Sequence, residues 1–267
     1  MSSGPVSSGL PAQRGPPVSH SPAEPLLDDV DWFIRLGAFA GRTGLRCLAH
    51  VRVEGHVDDL PVTGPLIVAS NHASNADGVL IGGWLTPALG RRIHWLGKRE
   101  FVDFPLVGLL ARRGSIHPVD RAGADVEAFR LAERILHEGH VLMVFPEGTR
   151  SPNGVLQEPK DGLALLALRT GAPILPVGVG DTDRFWPRGR LPRIGRWITL
   201  RIGEPFTVEA VLGGVALGNR RTAKGLATDA IMRRIAALVP ERQRGAYGQL
   251  ADEAATPEEG VSAHSVR

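Results

Sequence analysis

Leu66-Ile67-Val68-Ala69-Ser70-Asn71-His72-Ala73-Ser74-Asn75-Ala76-Asp77 passes from four apolar residues directly into a polar cluster, and its reading decides the fold. The apolar run has the length and composition of a buried strand. The Ser and Asn cluster predicts a turn offering N-cap candidates to a helix over 78–85. Residues five apart on a regular helix lie about 140° apart, so His72 and Asp77 meet only if His72 stands in the turn ahead of the helix. There a carboxylate that accepts from one imidazole nitrogen fixes the tautomer and leaves the other nitrogen free to take a proton from a hydroxyl. The same two residues also suit a plain helix cap, so on spacing alone both readings stand.

Outward from this unit, apolar runs alternate with helical ones. Strands are predicted over 51–55, 66–69, 93–97, 115–119, 141–145, 174–179 and 198–202, and helices over 78–85, 106–112, 126–138, 162–169 and 220–239. Such alternation predicts a single α/β domain with a mixed, largely parallel sheet flanked by helices. Residues 1–26 are rich in Ser, Pro and Gly and predict a disordered tail, as do 245–267. Between the first tail and the domain, 27–49 hold a helical segment of their own. On it Trp32, Leu36, Phe39, Ala40, Thr43 and Cys47 share one face, with Arg35, Arg42 and Arg46 about a quarter-turn away. An apolar face beside a basic one suits an amphipathic helix lying in a lipid headgroup layer. It equally suits a core-packing helix with a solvated basic edge.

The 267 residues, 43% of them hydrophobic, can bury one substantial core. The 31 Lys and Arg exceed the 28 Asp and Glu only slightly, yet an isoelectric point near 9.6 favours anionic partners such as phosphates or acidic lipids. The single cysteine, Cys47, excludes an internal disulfide and a cysteine-based zinc site. No window has the roughly eighteen apolar residues of a membrane span, and the first residues lack the order of a signal peptide. The expectation is an enzyme made in the cytoplasm and held peripherally on the cytoplasmic face of a membrane.

A second constellation follows the apolar run Val141-Leu142-Met143-Val144. In Phe145-Pro146-Glu147-Gly148-Thr149-Arg150-Ser151 an acid, a flexible glycine, a hydroxyl and a guanidinium fall within four positions, in the strand-to-loop setting where α/β sheets hold ligands. Glu147 can accept from a polyol hydroxyl, Gly148 and Thr149 can offer backbone amides, and Arg150 can grip a phosphate with a bidentate fork. Other chemistries lack their signatures. There is no Gly-x-Ser-x-Gly elbow, no His-Glu-x-x-His spacing, and no dinucleotide or Walker glycine pattern after a strand. Arg184-Phe185-Trp186-Pro187-Arg188-Gly189-Arg190-Leu191-Pro192-Arg193 interleaves bases with aromatics and admits RNA binding, a membrane-facing loop or an acceptor-covering loop.

Taken together, these segments resemble the 1-acyl-sn-glycerol-3-phosphate acyltransferase family of phospholipid and glycerolipid acyltransferases, whose hallmark is Asn-His, four residues and Asp. His72 and Asp77 match that HX4D motif, and Phe145 to Ser151 match the third motif throughout. Ala172-Pro173-Ile174-Leu175-Pro176-Val177-Gly178-Val179 looks like the fourth, a Pro-containing apolar strand. Leu96-Gly97-Lys98-Arg99-Glu100-Phe101 looks like the family's lysine and downstream loop. Gly114-Ser115-Ile116-His117-Pro118-Val119-Asp120-Arg121 resembles the second motif, with a Gly-to-Arg interval one residue longer. The likeness covers about residues 50 to 210 in family order and implies an acyltransferase domain over 50–244.

The resemblance implies transfer of a fatty acyl group from a thioester, on coenzyme A or acyl carrier protein, to the sn-2 hydroxyl of 1-acylglycerol 3-phosphate (lysophosphatidic acid), forming phosphatidic acid. It implies His72 and Asp77 as catalytic residues. Arg121 and Arg150 would clamp the acceptor phosphate, Lys98 would add attraction, and Glu147, with Gly148 and Thr149, would orient the glycerol. A thioester is already activated, so neither metal nor cofactor is expected beyond the acyl donor. Another lysophospholipid, glycerol 3-phosphate or a glycolipid as acceptor is the alternative. A non-catalytic lipid- or nucleic-acid-binding module is the reading from a different class, although nucleic acid is not the expected partner.

Overall fold

Strand β2 (Leu66–Ser70) is buried at every position, as expected of a parallel strand covered on both faces. The computed structural model of the chain describes residues 26–56, 60–61, 63–98, 105–119, 125–160, 162–213 and 220–248. Among these, seven strands form one sheet: β1 (Ala49–Gly55), β2, β3 (Ile93–Lys98), β4 (Ile116–Val119), β5 (Val141–Val144), β6 (Ile174–Gly180) and β7 (Arg196–Ile202), in spatial order β1-β7-β6-β2-β5-β3-β4. All neighbours are parallel except β6 and β7, so β7 and β1 run against the other five. The expected mixed, largely parallel sheet is the one observed.

The period-2 alternation of these strands sorts their side chains into two apolar layers. Leu66, Val68, Val141, Met143, Leu175, Val177 and Val179 pack with Leu80, Ile81, Leu85 and Leu89 of α2 (Ala76–Leu89). Ile67, Ala69, Leu142 and Ile174 face α4 (Asp125–His137), α5 (Gly162–Thr170) and α8 (Arg220–Leu238). Helix α3 (Pro105–Arg113) leads into β4. Two short helices, α6 (Thr182–Phe185) and α7 (Val208–Leu212), were not predicted, being too short to show a period.

Helix α1 (Trp32–Leu48) begins where the Asp31 carboxylate accepts from Ile34 N at 2.9 Å. It lies on α2 at close range. A side chain on Gly83 would meet Arg42 within 3.1 Å, and the Arg42 and Arg46 guanidiniums both sit 5.5 Å from the Trp84 ring centre. The arginine side of α1 therefore turns toward α2, while Trp32, Leu36, Phe39, Ala40, Thr43 and Cys47 are all exposed, Trp32 at 65% and Phe39 at 67%. Core packing and an outward apolar stripe are both realised, on opposite sides of one helix.

The C-terminal boundary departs from expectation. Residues Gly245–Tyr247 form a 3-10 turn instead of belonging to a tail, with Gly245 at φ +57° against Val155 and Leu156, and Tyr247 packed on the core. Beside them Gln243 is buried and ties three segments together: its carbonyl accepts from Leu156 N, its side chain accepts from Asp181 N, and its amide donates to Gly154 O. Residues 1–25 and 249–267 lie outside the described residues.

Candidate active site

Strands β2 and β5 are parallel neighbours with Ala69 opposite Val144. Counting three residues on from each brings the chain to His72 and to Glu147, so the register alone delivers the two sequence motifs to the same sheet edge, at the strands' carboxyl ends. The join is then made by hydrogen bonds. His72 N–H donates to Glu147 Oε1 at 2.8 Å, Ser151 N–H donates to His72 O at 2.8 Å, and Gln157 N–H donates to Glu147 Oε2 at 3.0 Å. On the other side, the Asn71 side chain clips the turn to β6, donating to Val179 O at 2.9 Å and accepting from Val179 N at 2.8 Å.

His72 stands in the turn ahead of α2, and Asp77 lies in that helix's first turn. Asp77 Oδ2 accepts from His72 Nδ1 at 2.8 Å and from the backbone amides of Ala73 and Ser74 at 2.7 Å each. Asp77 has 0% exposure, and a carboxylate so placed is held by two amides and the positive end of the helix. It caps the turn and orients the imidazole at once, so the two readings left by spacing describe one residue doing both. With Nδ1 donating to Asp77, Nε2 is the nitrogen left to exchange a proton. The ring stacks on Phe145, centroids 4.0 Å apart and planes 14° from parallel.

Glu147 is also buried, and burial pushes its carboxyl up to about 7, with the Asp77 charge adding to the rise and the His72 and Gln157 amides opposing it. Both its oxygens are occupied by those amides, so the carboxylate ties loop to loop and is not presented to solvent. Gly148 N–H is spent on Phe145 O at 2.9 Å, and Gly148 itself adopts φ +67°, a turn conformation that favours glycine. Thr149 is exposed beside it. The Arg150 guanidinium donates from Nη1 to Asn75 Oδ1, which sets it at the N-cap of α2, three residues along the chain from His72. The Lys98 side chain and Arg121 lie outside the described residues.

From Asn75 an apolar cavity of about 480 Å³ extends between α1, α2, β3 and β4, walled by Phe33, Val79, Trp95 and Ile116. Its α2 wall is cut back to Gly78 and Gly82, which face Trp95 across it. Trp95 in turn lies 6.5 Å from the Phe145 ring that carries His72. The arrangement thus provides a proton acceptor, a neighbouring cation and an apolar hollow that begins three residues from the acceptor.

The sequence profile of the family described as Acyltransferase matches residues 50–180, the stretch that contains both loops and all of β2 to β6. Residues 50–180 belong to the acyltransferase family. It is 35% identical over 128 residues to the 1-acyl-sn-glycerol-3-phosphate acyltransferase of Limnanthes alba, a stretch covering 46% of this chain and 43% of that one. To the protein of the same name from Bacillus subtilis (strain 168) it is 25% identical over 152 residues, 56% of this chain and 70% of the other. The crystal structure of the 1-acyl-sn-glycerophosphate (LPA) acyltransferase PlsC from Thermotoga maritima superposes with a TM-score of 0.60 at 28% identity, covering 76% of this chain and 78% of that one. The match spans less than half the length of the Limnanthes protein. Around His72 and Glu147, Asn71, Phe145 and Gln157 are the positioning residues that sequence reasoning missed. Asn71 and Phe145 sit inside the quoted motifs, but the strand, ring and loop they engage become neighbours only in the fold.

Proposed function

We propose that this acyltransferase moves a fatty acyl group from an acyl thioester to the sn-2 hydroxyl of 1-acylglycerol 3-phosphate, forming phosphatidic acid. The observation that carries the reading is the His72 Nδ1 to Asp77 Oδ2 hydrogen bond of 2.8 Å beside the Arg150 guanidinium; the printed names of the Limnanthes, Bacillus and Thermotoga proteins support the choice of acceptor. His72 Nε2 takes the hydroxyl proton as the alkoxide oxygen attacks the thioester carbonyl. The tetrahedral intermediate collapses with cleavage of the C–S bond, and the imidazolium returns the proton to the leaving thiolate. Asp77 stabilises that imidazolium. Base catalysis of this kind contributes about 10²–10⁴-fold; positioning must supply much of the rest.

In this scheme Arg150, with Arg121 and Lys98, holds the acceptor phosphate, and the donor's acyl chain occupies the cavity walled by Trp95 and Val79. Coenzyme A or acyl carrier protein carries the acyl group, and no further cofactor takes part. Glu147 acts through His72 N and keeps the base in place. The exposed stripe of α1 rests on the cytoplasmic face of the membrane, where the lipid acceptor resides; no helix among the described residues is long and apolar enough to cross it.

Purified protein given an acyl thioester and lysophosphatidate releases free thiol, and release drops when glycerol 3-phosphate or a phosphate-free glycerolipid replaces the acceptor. His72→Ala abolishes release with the unfolding transition unchanged. Turnover retained in His72→Ala would refute the mechanism, and equal rates on all acceptors would refute the assignment of lysophosphatidate.

A further inference from the structure

The loop between α6 and β7 is absorbed by neither the sheet nor the proton-transfer site, and it lies outside the family match, which ends at residue 180. It carries Arg188, Arg190 and Arg193, and Arg196 follows as the first residue of β7; all four are exposed, and none has an acidic partner among the described residues. Arg184, by contrast, lies 3.6 Å from Asp181. Between those cations stand Leu191, 85% exposed, and Ile194, 74% exposed. A single exposed aliphatic residue is unremarkable on a protein surface, but two at the tip of a basic loop, close to an exposed Trp197, form a patch of a different kind.

The loop is also fixed in place. Arg190 N–H closes a turn on Pro187 O at 3.1 Å, Arg193 N–H donates to Phe185 O at 2.7 Å, and Gly195 N–H donates to Leu48 O at 2.8 Å. This last bond joins the loop to the end of α1, the helix that carries the outward stripe from Trp32 to Cys47. At its root, Ser74 Oγ donates to Trp186 O at 2.9 Å, which links the loop to the turn that carries His72.

We propose that residues 187–197 form a second lipid-contacting element, in which Leu191 and Ile194 enter the acyl layer and Arg188, Arg190, Arg193 and Arg196 bind anionic headgroup phosphates. Charge and shape favour a lipid surface over a nucleic acid. Single-stranded nucleic acid is bound by aromatic platforms on which bases stack, whereas the residues at this tip are aliphatic. Trp186 is packed into the core cluster, and Trp197 already carries His50 at 4.8 Å and the Arg52 guanidinium at 5.2 Å. Aliphatic tips ringed by arginines match the boundary between acyl chains and phosphates. The element adds to α1 a preference for negatively charged membranes, which an apolar stripe cannot supply by itself, and it does so one hydrogen bond from the catalytic turn.

The experiment is co-sedimentation of the full chain with vesicles of phosphatidylcholine alone or mixed with phosphatidylglycerol, at low and high salt. The readout is binding, so it is independent of whether lysophosphatidate is the acceptor. Each arginine near an anionic surface contributes about fivefold in partition, so Arg188→Gln with Arg190→Gln and Arg193→Gln lowers binding to the mixed vesicles on the order of 10²-fold and leaves binding to phosphatidylcholine unchanged. Leu191→Ser with Ile194→Ser lowers binding to both. Trp32→Ser with Phe39→Ser also lowers both, but keeps their ratio. An undiminished preference for the mixed vesicles in the arginine variant, with its unfolding transition intact, would overturn the proposal. A salt-dependent complex with a single-stranded oligonucleotide that survives Leu191→Ser with Ile194→Ser and displaces the vesicles would overturn it in favour of nucleic acid.

Discussion

The turn that carries His72 and the outer face of α1 are both laid down by helices of one layer, packed on each other, yet they are built on opposite principles. In the turn the polar groups are turned inward: Asp77 Oδ2 takes three donors, Glu147 takes two backbone amides, and Asn71 exchanges a pair with β6. On α1 the apolar groups are turned outward, and Trp32, Leu36 and Phe39 touch water. A proton-transfer site needs groups that cannot move, which closed hydrogen-bond sets provide. A surface that meets lipid needs the reverse, apolar area left uncovered until the membrane covers it. Substitutions in the two regions should therefore fail differently, in chemistry for the first and in binding for the second.

Short of removing the base itself, Asp77→Asn gives the largest effect. The asparagine oxygen can still accept from His72 Nδ1, Ala73 N and Ser74 N, so the turn keeps its shape, while the charge that stabilises the imidazolium is gone. Thiol release should fall by about 10²–10⁴-fold with little change in KM. A variant within a factor of a few of the parent rate would mean that the carboxylate is only a cap, and the contrast between the two regions would collapse.

Glu147→Gln comes next, because the amide NH2 must face either His72 N–H or Gln157 N–H, donor against donor. Loosening the loop beneath the base should lower kcat by about 10²-fold. The same residue sets a pH dependence. An unfolded glutamate releases its proton near 4.5, the folded one at about 7, so the folded state holds more protons between those values. Its contribution to stability is complete below about 4.5 and is lost as pH rises through about 7, on the order of 3 kcal/mol in all. Denaturant titrations across that window should show the parent losing stability with rising pH and the Gln variant losing less. A parallel slope in both would place the titration elsewhere.

How far the sequence carried this reading differs between the same two regions. The strands and longer helices were legible because each rests on a local period, and the loops His72 to Asp77 and Phe145 to Ser151 were singled out because each follows an apolar run; that they meet was not. The partners of Glu147 were not legible: an acid in a loop reads as a ligand for substrate, and only the β2 to β5 register shows that His72 N lies opposite it. The helical period of α1 placed Trp32 to Cys47 on one face but could not say which way that face turns. Close packing at Gly83 and the stacking of Arg42 and Arg46 on Trp84 decide it. The terminal turn at Gly245–Tyr247 was hidden because its order comes from contacts with Val155 and Leu156, some ninety residues away.

Gly82→Leu probes the ground between the regions, where the cavity separates α1 from Trp95. The site of a new Cβ is in ordinary contact distance of the Trp95 ring, at 3.6 Å, so the helix tolerates the change while the longer side chain fills the hollow. Turnover with long-chain thioesters should fall about tenfold relative to short-chain ones, the loss of a few methylenes of apolar contact at about 0.8 kcal/mol each. An unchanged chain-length profile would remove the acyl chain from this cavity and leave the proton-transfer site untouched.

The smallest effect is expected from Phe39→Ser, and it is the one that separates the two regions most cleanly. Phe39 is two-thirds exposed and belongs to the apolar stripe of α1, so replacing it should change the free energy of unfolding by no more than about 0.5 kcal/mol. On the proposed membrane reading, its ring carries apolar area that a lipid layer covers. Partition onto vesicles should drop several-fold, by the same apolar bookkeeping of about 25 cal/mol per Å² that would have applied had the ring been buried in the core. If Phe39→Ser instead destabilised the fold by several kcal/mol, the ring would be covered by protein in solution, and the outward stripe of α1 would be a packing surface like any other.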